Sequence, residues 1–412
     1  MPDTDYITKI LGIQGFYVKD VVISKDRIDI WIEREREIYC CSKCGQLSFI
    51  SWGSWEMEVQ DLKMSGKRVY LHFRKHRVKC SCDDKAYVEK LGFVEQYEVV
   101  TKRLEDEIYN LCKMTTVSAV IKMYNLDWGT VKRIDKKKIL AKITKEWTFE
   151  NLYRISIDEY AYSKHKCITV ISNLDTRRTI YVIEGRKKED LDRFFEIVLG
   201  SQRCKRIETV TIDLCSPYRS SVEEYLPNTT LVFDKFHLMR LLHELLHEQV
   251  EIVRKQEQEK LEQEGKLILK NSKWLILKGQ EKLREEQRQR LHELLKQNEN
   301  LSKSYLLKEE FREFYRLDFS NIENPADIMS MAYNYLSGWI EKVKESGIEP
   351  LIKFTKTLER WQNGVLAYFV QKVTSALSEG LNNKISSIQK RACGYRDTGY
   401  FILKIYQQCG AI

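Results

Sequence analysis

Two groups of residues in this 412-residue chain have the types and spacing to do chemistry. The first is a set of thiols near the N terminus. Cys41-Ser-Lys-Cys44-Gly45 is a CxxCG knuckle, a tight turn whose glycine lets backbone amides point at a thiolate. Cys80-Ser-Cys82 supplies a second pair. Four thiolates suit tetrahedral zinc, and two knuckles on separate hairpins form a zinc ribbon. The second knuckle is one residue short of CxxC, so Cys40, His72 or His76 stays open as a completing ligand. The plain alternative is buried free cysteines beside a chance CxxC.

The second group is acidic. Asp158 closes the apolar run from Leu152, and Asp213 closes the run from Ile207, both as Ile-Asp. One aspartate at a strand end is commonly a turn-former. Two on neighbouring strands repel one another unless a divalent cation sits between them, so the pair asks for Mg2+ or Mn2+. A third carboxylate would complete a two-metal site that clamps the attacking and leaving oxygens of a phosphodiester. Glu379, in Ser378-Glu379-Gly380-Leu381-Asn382-Asn383, opens a helix that could return to the sheet edge and present it to both aspartates. His243 and His247 lie four apart with no third ligand near them, which favours packing or surface roles.

These residues need elements to position them. Leu152–Asp158, Cys167–Asp175, Arg178–Glu184, Ile207–Asp213 and Asn228–Asp234 read as strands, with a helix over Lys188–Leu199. Three antiparallel strands, a helix and two more strands is the order of a ribonuclease-H-like α/β fold, where the first and fourth strands are neighbours. Upstream, Thr116–Tyr124, the turn Asn125-Leu126-Asp127 and the basic helix Trp128–Lys138 form a helix-turn-helix pattern, with Asp127 as N-cap. Thr130, Lys132, Arg133, Lys136 and Lys137 would then face DNA phosphates and base edges. A solvated basic helix in a small bundle is the bland alternative. After His237, a Lys/Glu/Gln-rich run from Glu251 to Asn298 reads as a helical insertion, too poor in heptads for a coiled-coil scaffold. Arg360-Trp361 near its close fits a core tryptophan better than a base-stacking one.

Composition narrows the class. Lys and Arg number 69 against 60 Asp and Glu, and the net charge of +9 is compatible with a polyanionic partner. Hydrophobic residues make up 43% and charged residues 31%, as in folded soluble proteins. The N-terminal residues do not read as a secretory leader, and no run reaches the roughly 18–20 apolar residues of a membrane span. A cytoplasmic protein with reduced thiols is expected.

The chain resembles transposases of the ISL3 family of bacterial insertion sequences. The residues that carry this are Ile157-Asp158-Glu159, Thr211-Ile212-Asp213, the box Val232-Phe233-Asp234-Lys235-Phe236-His237, the run from Thr374 to Ile385, and the tail Lys390–Arg396. Ser375 and Cys393 depart modestly from the family pattern. The resemblance implies a DDE enzyme with Asp158, Asp213 and Glu379 as its metal-binding triad, and leaves Asp234 and His237 as accessory residues of open role. It implies a zinc ribbon over 1–95, a helix-turn-helix over 96–150, a catalytic core over 151–240 and 369–412, and a helical insertion over 241–368. It further implies Mg2+-dependent strand cleavage and transfer on double-stranded DNA without a covalent enzyme intermediate. A homodimer or larger assembly would form on the DNA. The rival reading is a sequence-specific DNA-binding factor without catalysis.

Overall fold

The structure is a computed structural model, described here for residues 4–80, 82–83, 85–146, 149–258, 272–371, 373 and 376–410. Part of the charged run (259–271), and Thr374 and Ser375 of the family motif, lie outside the described residues. The chain divides into two compact units: residues 1–147 with 391–408, and residues 148–390 with 409–411.

The first unit opens with α1 (Thr4–Leu11) and a sheet of β1 (Phe16–Ile23), β2 (Arg27–Arg34), β5 (Ser51–Met64), β6 (Lys67–Lys79) and β7 (Ala86–Val88). The order is β1-β2-β6-β5, with β7 also on β6. Along Lys67–Lys79 burial alternates: Val69, Leu71 and Phe73 point into the core, and Arg74 lies on the exposed side. The short hairpin of β3 (Tyr39–Cys40) and β4 (Leu47–Ser48) holds the first cysteine knuckle.

Three helices follow. They are α2 (Lys102–Met114), capped by Thr101, α3 (Val117–Tyr124), capped by Thr116, and α4 (Trp128–Glu146). Asn125 takes the left-handed conformation at φ 55°, which asparagine tolerates, and this turns the chain between α3 and α4. Asp127 accepts a hydrogen bond from the Thr130 amide at 2.9 Å, as an N-cap should. Val120, Val131 and Ile134 bury against Leu104 and Ile108.

The C-terminal helix Thr398–Cys409 joins this bundle through a polar contact. Asp135 of α4 is fully buried and accepts hydrogen bonds from Tyr400 Oη (2.6 Å), Lys404 Nζ (2.9 Å) and Gln407 Nε2 (3.0 Å). Residues 369–412, read as one segment from the sequence, thus divide at Arg391 between the two units.

The second unit is built on a mixed sheet of β8 (Arg154–Ser163), β9 (Lys166–Asn173), β10 (Arg178–Glu184), β11 (Thr209–Ile212) and β12 (Thr230–Phe233), in the order β10-β9-β8-β11-β12. The first three pair antiparallel, while β8, β11 and β12 run parallel. Between them lie α5 (Lys188–Arg193), continued by a wider turn through Leu199, α6 (Ser201–Cys204) and α7 (Ser216–Tyr225). From Lys235 the unit is helical, beginning with α8 (Lys235–Gln258) and ending with the closing helix Ala376–Arg391.

The later helices share the core of the sheet. Phe311, Phe354 and Phe369 bury in the same cluster as Ile157, Ile212 and Phe233. Trp361 is 5% exposed and meets Phe233 edge-on at 4.7 Å, so the core role is the one it plays. Helix Gln362–Gln371 lies so close to β12 that a Cβ on Gly364 would fall 2.2 Å from the Phe233 ring. Among the described residues, no helix is long and apolar enough to cross a membrane.

Candidate active site and DNA-binding face

Strand pairing explains how the acidic residues meet. In the parallel ladders Ile157 pairs with Ile212, and Ile212 with Phe233. The next residue on each path is an aspartate, so Asp158, Asp213 and Asp234 form one row. Asp158 does not end its strand as the apolar pattern suggests. It lies mid-strand, because antiparallel pairing with β9 carries β8 on to Ser163 after its parallel partner β11 has stopped. Residues past Asp158 are more polar, which hides that continuation from a hydrophobic pattern.

Ligand atoms of Asp158, Asp213 and His237 lie within 4.8 Å of one another. These residues, with Asp234, Lys235 and Ser378, line a cavity of about 10 Å3, room for a single water-sized particle. The Glu159 amide donates to Asp158 Oδ1 at 2.8 Å, and Asn382 Nδ2 donates to Oδ2 at 2.7 Å. His237 Nδ1 touches Asp213 Oδ1 and lies 3.5 Å from Asp234 Oδ2. Asp234 Oδ1 accepts from the Phe236 amide at 2.7 Å and so caps α8.

Crowded negative charge shapes the titration here. Burial, then the charge of Asp213, push the Asp158 carboxyl up to about 6. Burial alone would lower the pKa of His237, but its contacts with Asp213 and Asp234 prevail and raise it to about 9. Asp213 Oδ1 and His237 Nδ1 are buried and meet outside good hydrogen-bond geometry. A hard cation among these oxygens fits both the space and the charge. Glu379 is placed differently. It lies in the first turn of the closing helix with its side chain exposed, outside the group of mutually close ligand atoms.

The thiols also converge. Cys41, Cys44 and Cys80 form one group of close ligand atoms, with Cys44 and Cys80 sulfurs 3.5 Å apart. Cys82 Sγ lies 2.7 Å from Cys80 Sγ, and that hydrogen bond is the main cause pushing the Cys82 thiol up to about 12. Ser81 between them lies outside the described residues. The other candidates have different partners. Cys40 donates to the Gly45 carbonyl at 3.4 Å, His72 lies 2.7 Å from Asp29, and His76 is 2.9 Å from the Ser51 hydroxyl.

On α4, each basic residue named for DNA is paired within its own unit. Lys132 Nζ lies 2.8 Å from Asp397 and 4.5 Å from the Trp128 ring centre, and Lys136 is 3.5 Å from Asp397. Arg133 forks onto Glu98, and Lys137 is 3.0 Å from Glu105. Thr130 is half-buried beside the exposed Trp128. Asn382 and Asp397 received no role from the sequence. The first could have been noticed, since it falls on the same helix face as Glu379, three residues on.

Comparison with known proteins identifies the family. Residues 155–405 match a transposase family model, and residues 39–82 match the zinc-finger of transposases IS204/IS1001/IS1096/IS1165. Residues 89–137 match the helix-turn-helix domain of transposase family ISL3. The chain is 30% identical over 411 residues to the transposase for insertion sequence element IS1001 of Bordetella parapertussis, covering 98% of each. It is 23% identical over 377 residues to the transposase for IS1557 of Mycobacterium tuberculosis, covering 86% of this chain and 82% of the relative. The chain belongs to the ISL3 family of transposases, and it is a DNA transposase with a zinc ribbon and a helix-turn-helix for binding DNA.

Proposed function

We propose that the transposase is a DDE-type enzyme in which Asp158, Asp213 and Glu379 hold Mg2+ or Mn2+ within a ribonuclease-H-like core. The observation that carries this reading is the shared register of Asp158 and Asp213 on adjacent parallel strands, with Asp158 pushed up to about 6. The strand order β10-β9-β8-β11-β12 supports the ribonuclease-H-like assignment, with helices after Leu241 as an insertion. Glu379 is supported by its helix, whose Asn382 reaches Asp158 one turn on. Bound divalent ions would activate a water or a DNA 3′-hydroxyl and offset charge on the leaving oxygen. The protein's own part is to fix the carboxylate oxygens and exclude bulk water. His237, in contact with Asp213 and 3.5 Å from Asp234, is the accessory residue beside the row.

Cys41, Cys44, Cys80 and Cys82 are the proposed zinc ligands, supported by the close grouping of Cys41, Cys44 and Cys80, by Cys82 lying against Cys80 with Asp83, and by the engagement of Cys40, His72 and His76 elsewhere. The zinc ribbon (1–95) and helix-turn-helix (96–150) would read the terminal inverted repeats of the element in the cytoplasm. Because two ends must meet, the active form is a dimer or larger. The test is Mg2+-dependent cleavage of element-end duplex by the full-length protein and its Asp158→Ala, Asp213→Ala and Glu379→Ala variants. All three should be inactive while still binding DNA. Unchanged cleavage by Asp158→Ala and Asp213→Ala would leave a DNA-binding factor whose acidic row is structural.

A further inference from the structure

The closing helix is stitched to β8 by two amide side chains two turns apart. Asn382 Nδ2 donates to Asp158 Oδ2 at 2.7 Å. Gln389 accepts from the Tyr160 hydroxyl at 2.9 Å and donates to the Tyr162 carbonyl at 2.6 Å. Asp158, Tyr160 and Tyr162 alternate along the strand, so the helix follows one face of it. The two stitches differ in kind. Gln389 grips a phenol and a backbone carbonyl, which docks the helix. Asn382 grips a carboxylate that is buried, crowded by Asp213 and already held at its other oxygen by the Glu159 amide.

We propose that Asn382 is a positioning residue of the carboxylate centre, orienting Asp158 by holding its Oδ2. This rests on the reading of Asp158 and Asp213 as metal ligands. A carboxylate can turn about its Cβ–Cγ bond, and each oxygen offers two lone pairs. With Oδ1 bonded to the Glu159 amide and Oδ2 to Asn382, that rotation is stopped. The lone pairs left over then face the small cavity shared with Asp213. An amide is suited to this task because it donates without charge. A lysine or arginine at position 382 would neutralise Asp158 and compete with a cation. The same bond ties the helix bearing Glu379 to the strand bearing Asp158, with the two helix residues one turn apart.

The test is Mn2+ binding to the full-length protein, followed by electron paramagnetic resonance without DNA, so that no turnover is involved. Loss of an outer partner of a metal ligand typically weakens affinity about 10- to 100-fold, and Asn382→Ala is expected to fall in that range. Gln389→Ala, which removes only the docking stitch, should keep wild-type affinity even if its melting temperature drops. On an Asp158→Ala background, Asn382→Ala should cost nothing more, because Asn382 acts through Asp158. If Asn382→Ala does not fold, Asn382→Ser places its donor out of reach of Oδ2 and is read in the same way. Wild-type Mn2+ affinity in a folded position-382 variant overturns the proposal, as does an equal further loss on the Asp158→Ala background. Wild-type affinity in Asp158→Ala and Asp213→Ala would instead overturn the metal reading beneath it.

Discussion

The acidic row gains its properties from burial as much as from charge. Asp158 is 8% exposed and shares its small cavity with Asp213 and Asp234, so ionising it in isolation is unfavourable. On the proposed reading a divalent cation reverses that balance. Asp213→Asn keeps the shape of the side chain and removes its charge. On the proposed reading it forfeits several kcal/mol of transition-state stabilisation, about a thousandfold in strand cleavage, measured under single turnover with pre-bound DNA. DNA affinity in the absence of divalent metal should not change. The aspartates were legible in the sequence because Ile-Asp recurs. For Asn382 the sequence showed the helix face shared with Glu379 but not the partner, because that contact depends on a helix meeting a strand more than two hundred residues away.

Elements carry the next set of consequences. Asp397 occupies the place beside Lys132 and Lys136 that a DNA phosphate would take if α4 is the reading helix. Its carboxylate also accepts from the Tyr400 amide at 3.0 Å and so caps the C-terminal helix. Asp397→Asn preserves that cap and removes the charge. DNA affinity should then rise, and the log–log salt slope should steepen by about one to two phosphate contacts. A slope identical to wild type would mean that neither lysine meets DNA. In the same bundle, Lys404→Met leaves Asp135 buried without its cation. Breaking such a pair costs about 3–5 kcal/mol, visible in calorimetry as an early transition of the first unit alone. In the second unit, Gly364→Ala drives a methyl into the Phe233 ring and should cost about 1–3 kcal/mol. Phe233 precedes Asp234, so the strain falls next to the acidic row.

The whole molecule joins the unit that carries the zinc-ribbon and helix-turn-helix matches to the unit that carries the acidic row, along a chain that leaves the first unit and returns to it after Lys390. The thiol cluster fastens the β3–β4 hairpin to the end of β6, beside a small buried cluster of Tyr39, Cys41, Val78 and Cys80. Zinc binding at such a site is folding free energy. Metal analysis of the purified protein should therefore find one zinc per chain. Removing it with a chelator should abolish binding to element ends and shift only the first unit's melting transition. Retained end binding by a zinc-free protein would show that the ribbon is not part of the reading surface.

Sequence alone determined the chemistry on offer and its order along the chain. Thiol knuckles, a capped basic helix, apolar runs closing on Ile-Asp and a helix with Glu379 in its first turn are local patterns, set by spacing and residue type. Tertiary structure decided which of those groups meet. Strand register put Asp158, Asp213 and Asp234 in one row, long-range packing drew the C-terminal helix onto α4, and ion pairing occupied the basic residues of α4 with Glu98, Glu105 and Asp397. The physical reason is range. Hydrogen-bonded periodicity and capping act over a few residues. Desolvation and ion pairing act between whichever residues the folded chain brings within a few ångströms.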